Sequence, residues 1–179
     1  ATNSQAEYIR DGLNYDVWLN NVKRLLDHSK VDRLCLMMTV NALCLGSMTN
    51  IMDDMLALRE IYGKDRSPFM SPNLVYTPEF QNISTLPTYI IEHYNNKLKS
   101  WYDKRKTDLW DKEKVRISRI INYMDKRISN PPPEDVLRKR QNDFKSFYSQ
   151  YDERRGLNFR ETFDPIVTDW YESLEGEAV

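Results

Sequence analysis

The chain has 179 residues, 26 Lys and Arg against 27 Asp and Glu, and a mean hydropathy of -0.71. This length suits one domain with a sizeable core, and 12% aromatic and 30% charged residues argue against disordered, collagenous or low-complexity chains. The absence of a long uncharged apolar run excludes a helical membrane span, and the near-neutral balance gives no global sign of a nucleic-acid binder. No basic segment leads into an apolar stretch at the N-terminus, so no signal peptide is expected, and two cysteines are too few for a disulfide framework.

Taken in chain order, residues 1–13 read as an N-terminal arm, and 15–29 as an amphipathic helix. Its face would carry Tyr15, Trp18, Leu19, Val22, Leu25 and Leu26, with Asn14 as N-cap. From Asp32 to about Tyr62 the apolar spacing of Leu34, Met37, Met38, Leu45, Met48, Met52, Met55 and Leu56 predicts one long helix, or two joined near Gly46–Ser47. Cys35 and Cys44 would lie in that helix as buried core positions on opposite faces, and Gly63 would end it.

Residues 64–87 hold Pro68, Pro72, Pro78 and Pro87 and read as a long ordered connection, with a short strand possible at Leu74–Tyr76. Helix resumes from about Pro87 to Ile128 with a break near 107–111. Its stripe is Ile90, Tyr94, Leu98, Trp101, Val115, Ile117, Ile121, Met124 and Ile128. Pro131–Pro133 forms a hard stop. A further helix then runs to about Arg155 with Leu137, Phe144, Phe147, Tyr148 and Tyr151 inward, and Gly156 closes it. After Phe159 and Phe163, Asp164 and Pro165 open a short helix ending near Leu174. The predicted fold is all-α: a single-domain bundle of five or six helices, with the C-terminal segment and acidic tail at about 159–179.

Catalytic chemistry is not apparent. There is no glycine-rich phosphate loop, no nucleophile elbow, and no His or Cys pair at ligand spacing. Asp53–Asp54, with Asn142, Asp143 and Ser146, is similar to the paired metal motifs of terpene synthases. However, Ala57 and Gln150 stand where that family has acids, and surface acids on amphipathic helices explain the pattern. No enzyme, cofactor or metal is expected.

The charge is unevenly placed. Residues 97–127 hold 11 Lys and Arg against 5 acids, and 161–179 hold 6 acids and no base. Lys104, Arg105, Lys106, Arg116 and Arg119, with Trp101 and Tyr102 interleaved, form either a phosphate-contacting and base-stacking surface or the solvated face of a surface helix. Tyr8, Phe69, Tyr76, Phe80, Phe159 and Tyr171 are candidate contact aromatics, or else caps of the core ends.

The order of these features resembles the coat proteins of rod-shaped plant RNA viruses (tobamo-, tobra- and hordeivirus types). The likeness lies in an amphipathic entry with Trp18, a Pro-rich connection to Val75–Tyr76, and a helix turning basic at Lys104–Lys106. It closes on Asn158–Phe163 followed by Trp170 and an acidic end. Asp164–Pro165 interrupts the closing element, and the 131–133 prolines have no counterpart in that family. The resemblance implies a capsid protein of a helical virion, in the virion and the host cytoplasm, assembling with itself. Its partner would be nucleic acid, RNA in preference to DNA, with no membrane. Lys104, Arg105, Lys106, Arg116, Arg119, Trp101 and Tyr102 would face the nucleic acid, and Phe159, Phe163, Trp170 and Trp18 would lie at subunit interfaces. The alternative is a helical protein–protein adaptor domain using the Met-rich 37–55 stripe.

Overall fold

The computed structural model describes residues 1–28, 31 and 34–174. Among them the chain is mostly helical. The α-helices are α1 (Asn3–Ile9), α2 (Tyr15–Asp27), α3 (Met48–Tyr62), α4 (Thr88–Arg105), α5 (Asp111–Ser129), α6 (Glu134–Arg155), α7 (Phe159–Thr162) and α8 (Pro165–Ser173). Two strands, β1 (Cys35–Val40) and β2 (Phe69–Leu74), form a parallel pair in the register Cys35↔Phe69 to Val40↔Leu74. The mainly helical character matches expectation, but a purely α bundle of five or six helices does not.

The N-terminal half of the expected 32–62 helix is strand β1, and α3 begins only at Met48. The spacing of Leu34, Met37 and Met38 fits a helix, but the burial of β1 alternates, with Met38 and Val40 inside and Cys35, Met37 and Thr39 outside. That alternation is the period of a strand. Cys35 is therefore exposed on a strand rather than buried in a helix, whereas Cys44 is buried in a 3-10 turn, Ala42–Cys44, capped by the Asn41 side chain. The strand of the Pro-rich connection lies at Phe69–Leu74, not at 74–76. It tolerates Pro72 because only one of its edges is laddered.

Local cap chemistry positions much of the rest. The Asn14 side chain accepts from the Val17 N–H, Gly63 closes α3 at φ 80, and Gly156 closes α6 in the left-handed region at φ 60. The 1–13 segment is not a loose arm. Tyr8 of α1 is buried, donates to Asp152 Oδ1 at 2.6 Å, and meets Phe163 edge-on at 5.0 Å. Val115 was expected to point inward but is 69% exposed, because the buried line of α5 runs through Ile117, Ile120, Ile121 and Met124. Phe147 is likewise exposed on α6.

A buried ion pair joins α3, β2 and α5. Glu113 is completely buried and binds Arg59 at 2.9 Å. Arg59 spends its five N–H groups on both Glu113 oxygens, Ser67 Oγ, and the Asp108 and Pro68 carbonyls. Glu113 also receives the Met70 and Trp110 backbone N–H groups at 2.8 and 2.9 Å. Trp110 covers the guanidinium at 4.4 Å.

Candidate nucleic-acid interface

The packing of α5 against β2 leaves one cationic line on its outer side. Lys112, Arg116, Arg119, Tyr123 and Arg127 are spaced by 4, 3, 4 and 4 residues, which places them along one helix face. At a rise of about 1.5 Å per residue, the line from 112 to 127 covers about 22 Å. Among the described residues none of its four cations has an ion pair.

Aromatic rings flank this line. Phe69 and Trp110 stack at 5.6 Å with planes 18° apart, and the Arg116 guanidinium lies 5.8 Å from the Phe69 ring. Further along, Arg127 lies 4.9 Å from the Tyr123 ring, and Tyr123 meets the exposed Tyr76 edge-on at 6.2 Å. Arg119 donates to Asn73 Oδ1 at 3.2 Å, tying the line to β2. A cleft of about 800 Å³ opens here between Cys35, Phe69, Trp110, Lys112 and Arg116, and the acids Asp65 and Asp111 are on its wall. Such cations can neutralise phosphates without selecting a sequence, and the exposed Tyr76 ring nearby can offer a face to a base.

The other residues expected at such a site fall elsewhere. Trp101 is buried, and its Nε1 donates to Asp53 Oδ1 at 2.8 Å, so it holds α4 to α3 instead of offering a stacking face. Tyr102 is half-buried against the core. Lys104, Arg105 and Lys106 sit exposed at the C-terminal end of α4, where cations complement the helix dipole. Arg105 faces Asp53 at 3.5 Å and Asp108 at 3.8 Å, and Lys106 pairs with Asp103 at 3.3 Å. Of the residues expected to bind nucleic acid, the cationic line includes only Arg116 and Arg119. Lys112, Arg127, Phe69 and Tyr123 join them, and the helical spacing of 112, 116, 119, 123 and 127 is the signal that marks this line in the sequence.

The four expected interface aromatics divide. Phe159, Phe163 and Trp170 are buried in one aromatic core with Tyr8, Phe144 and Tyr148, and Phe159 stacks on Tyr171 at 4.0 Å. They close the chain on itself because α7 and α8 fold back over α6. Trp18 is half-buried beside Tyr15, at 5.4 Å. Tyr171 also belongs to the core, whereas Phe69 and Phe80 are half-buried and Tyr76 is exposed.

Asp53 and Asp54 have internal partners. Asp54 accepts the Tyr15 hydroxyl at 2.6 Å, and Asp53 is shared by Trp101 and Arg105. In the acidic segment, Asp164 accepts the Tyr94 hydroxyl at 2.9 Å and Glu172 pairs with Arg160 at 3.0 Å. Its last acids, Glu175 and Glu177, lie outside the described residues. No helix is long and apolar enough to cross a membrane among the described residues. Comparison with protein-family models, curated proteins and solved structures finds no match to this chain.

Proposed function

We propose that the chain is a non-catalytic nucleic-acid-binding assembly protein that contacts the phosphate backbone along α5. The observation that carries this reading is the line Lys112, Arg116, Arg119 and Arg127, without ion pairs among the described residues and flanked by the Phe69–Trp110 stack. Charge without base-edge donors in a fixed pocket suits sequence-tolerant binding, as packaging a genome requires. The coat-protein form of the reading has subunits repeating along RNA in a helical virion. It rests on the order of sequence features and on the near-neutral net charge, which lets many copies pack together.

The test is fluorescence anisotropy with a labelled 20-nucleotide oligouridylate across a salt series, joined to negative-stain electron microscopy. Binding should weaken as salt rises, and replacing Lys112, Arg116 and Arg119 by Ala should flatten the salt slope by about one unit per lost phosphate contact. Rods or filaments on long RNA would support the coat role. Affinity unchanged by the triple substitution would overturn the α5 reading, and dispersed particles under every condition would overturn assembly.

A second reading, a protein-interaction module, is favoured by a different observation. Met37 of β1 is 76% exposed beside an apolar cavity of about 350 Å³. It predicts a chain with no affinity for the oligonucleotide and a protein partner at β1.

A further inference from the structure

The two edges of the parallel pair differ in their chemistry. The Phe69 N–H donates to the Leu34 carbonyl at 2.8 Å and the Val75 N–H to the Val40 carbonyl at 2.9 Å. With the register Cys35↔Phe69, this parity turns the backbone groups of Leu36, Met38 and Val40 toward β2, and those of Cys35, Met37 and Thr39 away from it. On β2 the outward residues are Met70, Pro72 and Leu74.

The outer edge of β2 offers no free N–H at its first two positions. The Met70 N–H is taken by Glu113 Oε1 at 2.8 Å, and Pro72 has no N–H to offer. The outer edge of β1 has none of the usual protections of an edge strand: no Lys, no Pro, no other charge within Cys35–Val40. Its only outward contact among the described residues is the weak one from Cys44 Sγ to the Thr39 carbonyl, at 3.4 Å.

The cavity beside it runs along this edge. It is lined by Leu36 through Val40, five consecutive residues of both side-chain parities, so it follows the strand and does not cover one face. Ile9, Arg10, Leu13 and Trp18, from α1, α2 and the segment between them, also line it. Parallel pairs belong to sheets with both faces covered, and a pair of strands alone is marginal in water. The order α2, β1, α3, β2 with parallel strands is the alternation of an α/β sheet.

We infer that β1 is an interior strand in the working molecule: its open edge receives an extended, uncharged strand of a partner polypeptide, laid parallel to β1 and continuing the β1–β2 ladder. Up to five outward groups would be satisfied, namely the N–H and C=O of Cys35 and Met37 and the N–H of Thr39. The partner's side chains on the α1–α2 side would fill the cavity. This site rests on the interaction-module reading only for the nature of its partner. It is independent of α5, so its failure leaves nucleic-acid binding standing.

The experiment is amide NMR of the full chain with a defined probe. The probe is an acetylated heptapeptide alternating threonine and valine and ending in lysine, with a nitroxide at either its N- or its C-terminus. We expect saturable shifts centred on the Cys35, Met37 and Thr39 amides. The N-terminal nitroxide should broaden Cys35 more than Thr39, as a parallel strand requires. Met37→Pro removes an N–H that faces away from β2 and should weaken binding by about tenfold or more while leaving the β2 amides in place. Met37→Glu, at an exposed position, should weaken it in the same sense without a backbone change. The absence of saturable shifts, the reverse nitroxide pattern, or binding by both variants as tight as that of the parent chain would overturn the proposal. So would the same amides shifting with protein concentration alone as the mass doubles in sedimentation, since a second copy would then hold the edge.

Discussion

Arg59 and Glu113 lie 54 residues apart and form a buried pair in which neither side chain leaves a polar group unused. All five guanidinium N–H groups are engaged, and each carboxylate oxygen accepts two hydrogen bonds. Such a pair repays its desolvation only because its geometry is complete, and its removal by halves is costly. It also serves three elements at once, since Met70 lies in β2, Trp110 caps α5 and Arg59 stands in the last turn of α3.

Replacing Glu113 by Gln should therefore destabilise the fold by about 3–5 kcal/mol, because Arg59 would remain buried without a counter-charge. The double substitution Arg59→Met with Glu113→Leu should cost clearly less than the sum of the two single changes. Urea denaturation of the parent chain, Glu113→Gln, Arg59→Met, Glu113→Leu and the double variant measures both. Strict additivity would show that the two groups act separately.

Helix ends and breaks were legible in the sequence because cap chemistry is local. Asn14, Gly63, Gly156 and the prolines at 131–133 mark boundaries that the fold respects. Strand β1 was not legible, since Leu34, Met37 and Met38 satisfy a helical spacing. What decides in favour of a strand is the partner Phe69–Leu74, more than thirty residues further on. The basic stretch was visible as composition, but which cations share a face depends on the phase of α5. Ile117, Ile120 and Ile121 set that phase through burial. The aromatics at 159–170 look like contact residues in sequence, and only the return of α7 and α8 over α6 shows them to be internal.

Stability should fall at alkaline pH. Tyr8, Tyr15 and Tyr94 are driven well above the ordinary phenol value, first by burial and then by the adjacent carboxylates of Asp152, Asp54 and Asp164. Below pH about 10 both the folded and unfolded chains hold these protons, and the stabilisation is fully present. Above that value the unfolded chain ionises first, so unfolding free energy declines as pH rises toward the folded values. Denaturation curves between pH 8 and 11 should show this decline, and Tyr→Phe at the three positions should flatten the slope. An unchanged slope in the triple variant would place the alkaline sensitivity elsewhere.

The two thiols should report the strand directly. Cys35 is exposed on β1, whereas Cys44 is buried. A disulfide-exchange reagent should modify one thiol rapidly in the native protein and two after denaturation. Cys35→Ser should abolish the fast phase, and occupation of the β1 edge by the strand peptide should slow it. No fast thiol in the native state would contradict the exposed strand position of Cys35, and two would contradict the burial of Cys44.

The closing aromatic segment separates a core role from an interface role. Phe159 is 1% exposed and stacks on Tyr171, and Phe144 beneath it is completely buried between Tyr148 and Trp170. If these rings serve the subunit's own core, Phe159→Ala should cost about 3–5 kcal/mol of monomer stability through a cavity that its neighbours fill only in part. It should do so equally at every protein concentration. If they serve contacts between subunits, the same substitution should leave the dilute monomer's stability unchanged and alter only association. Thermal melts at two concentrations a hundredfold apart distinguish these results. The packing of Tyr8 on Phe159 and Phe163 favours the first, because these ring contacts join α1 to α7 within one chain.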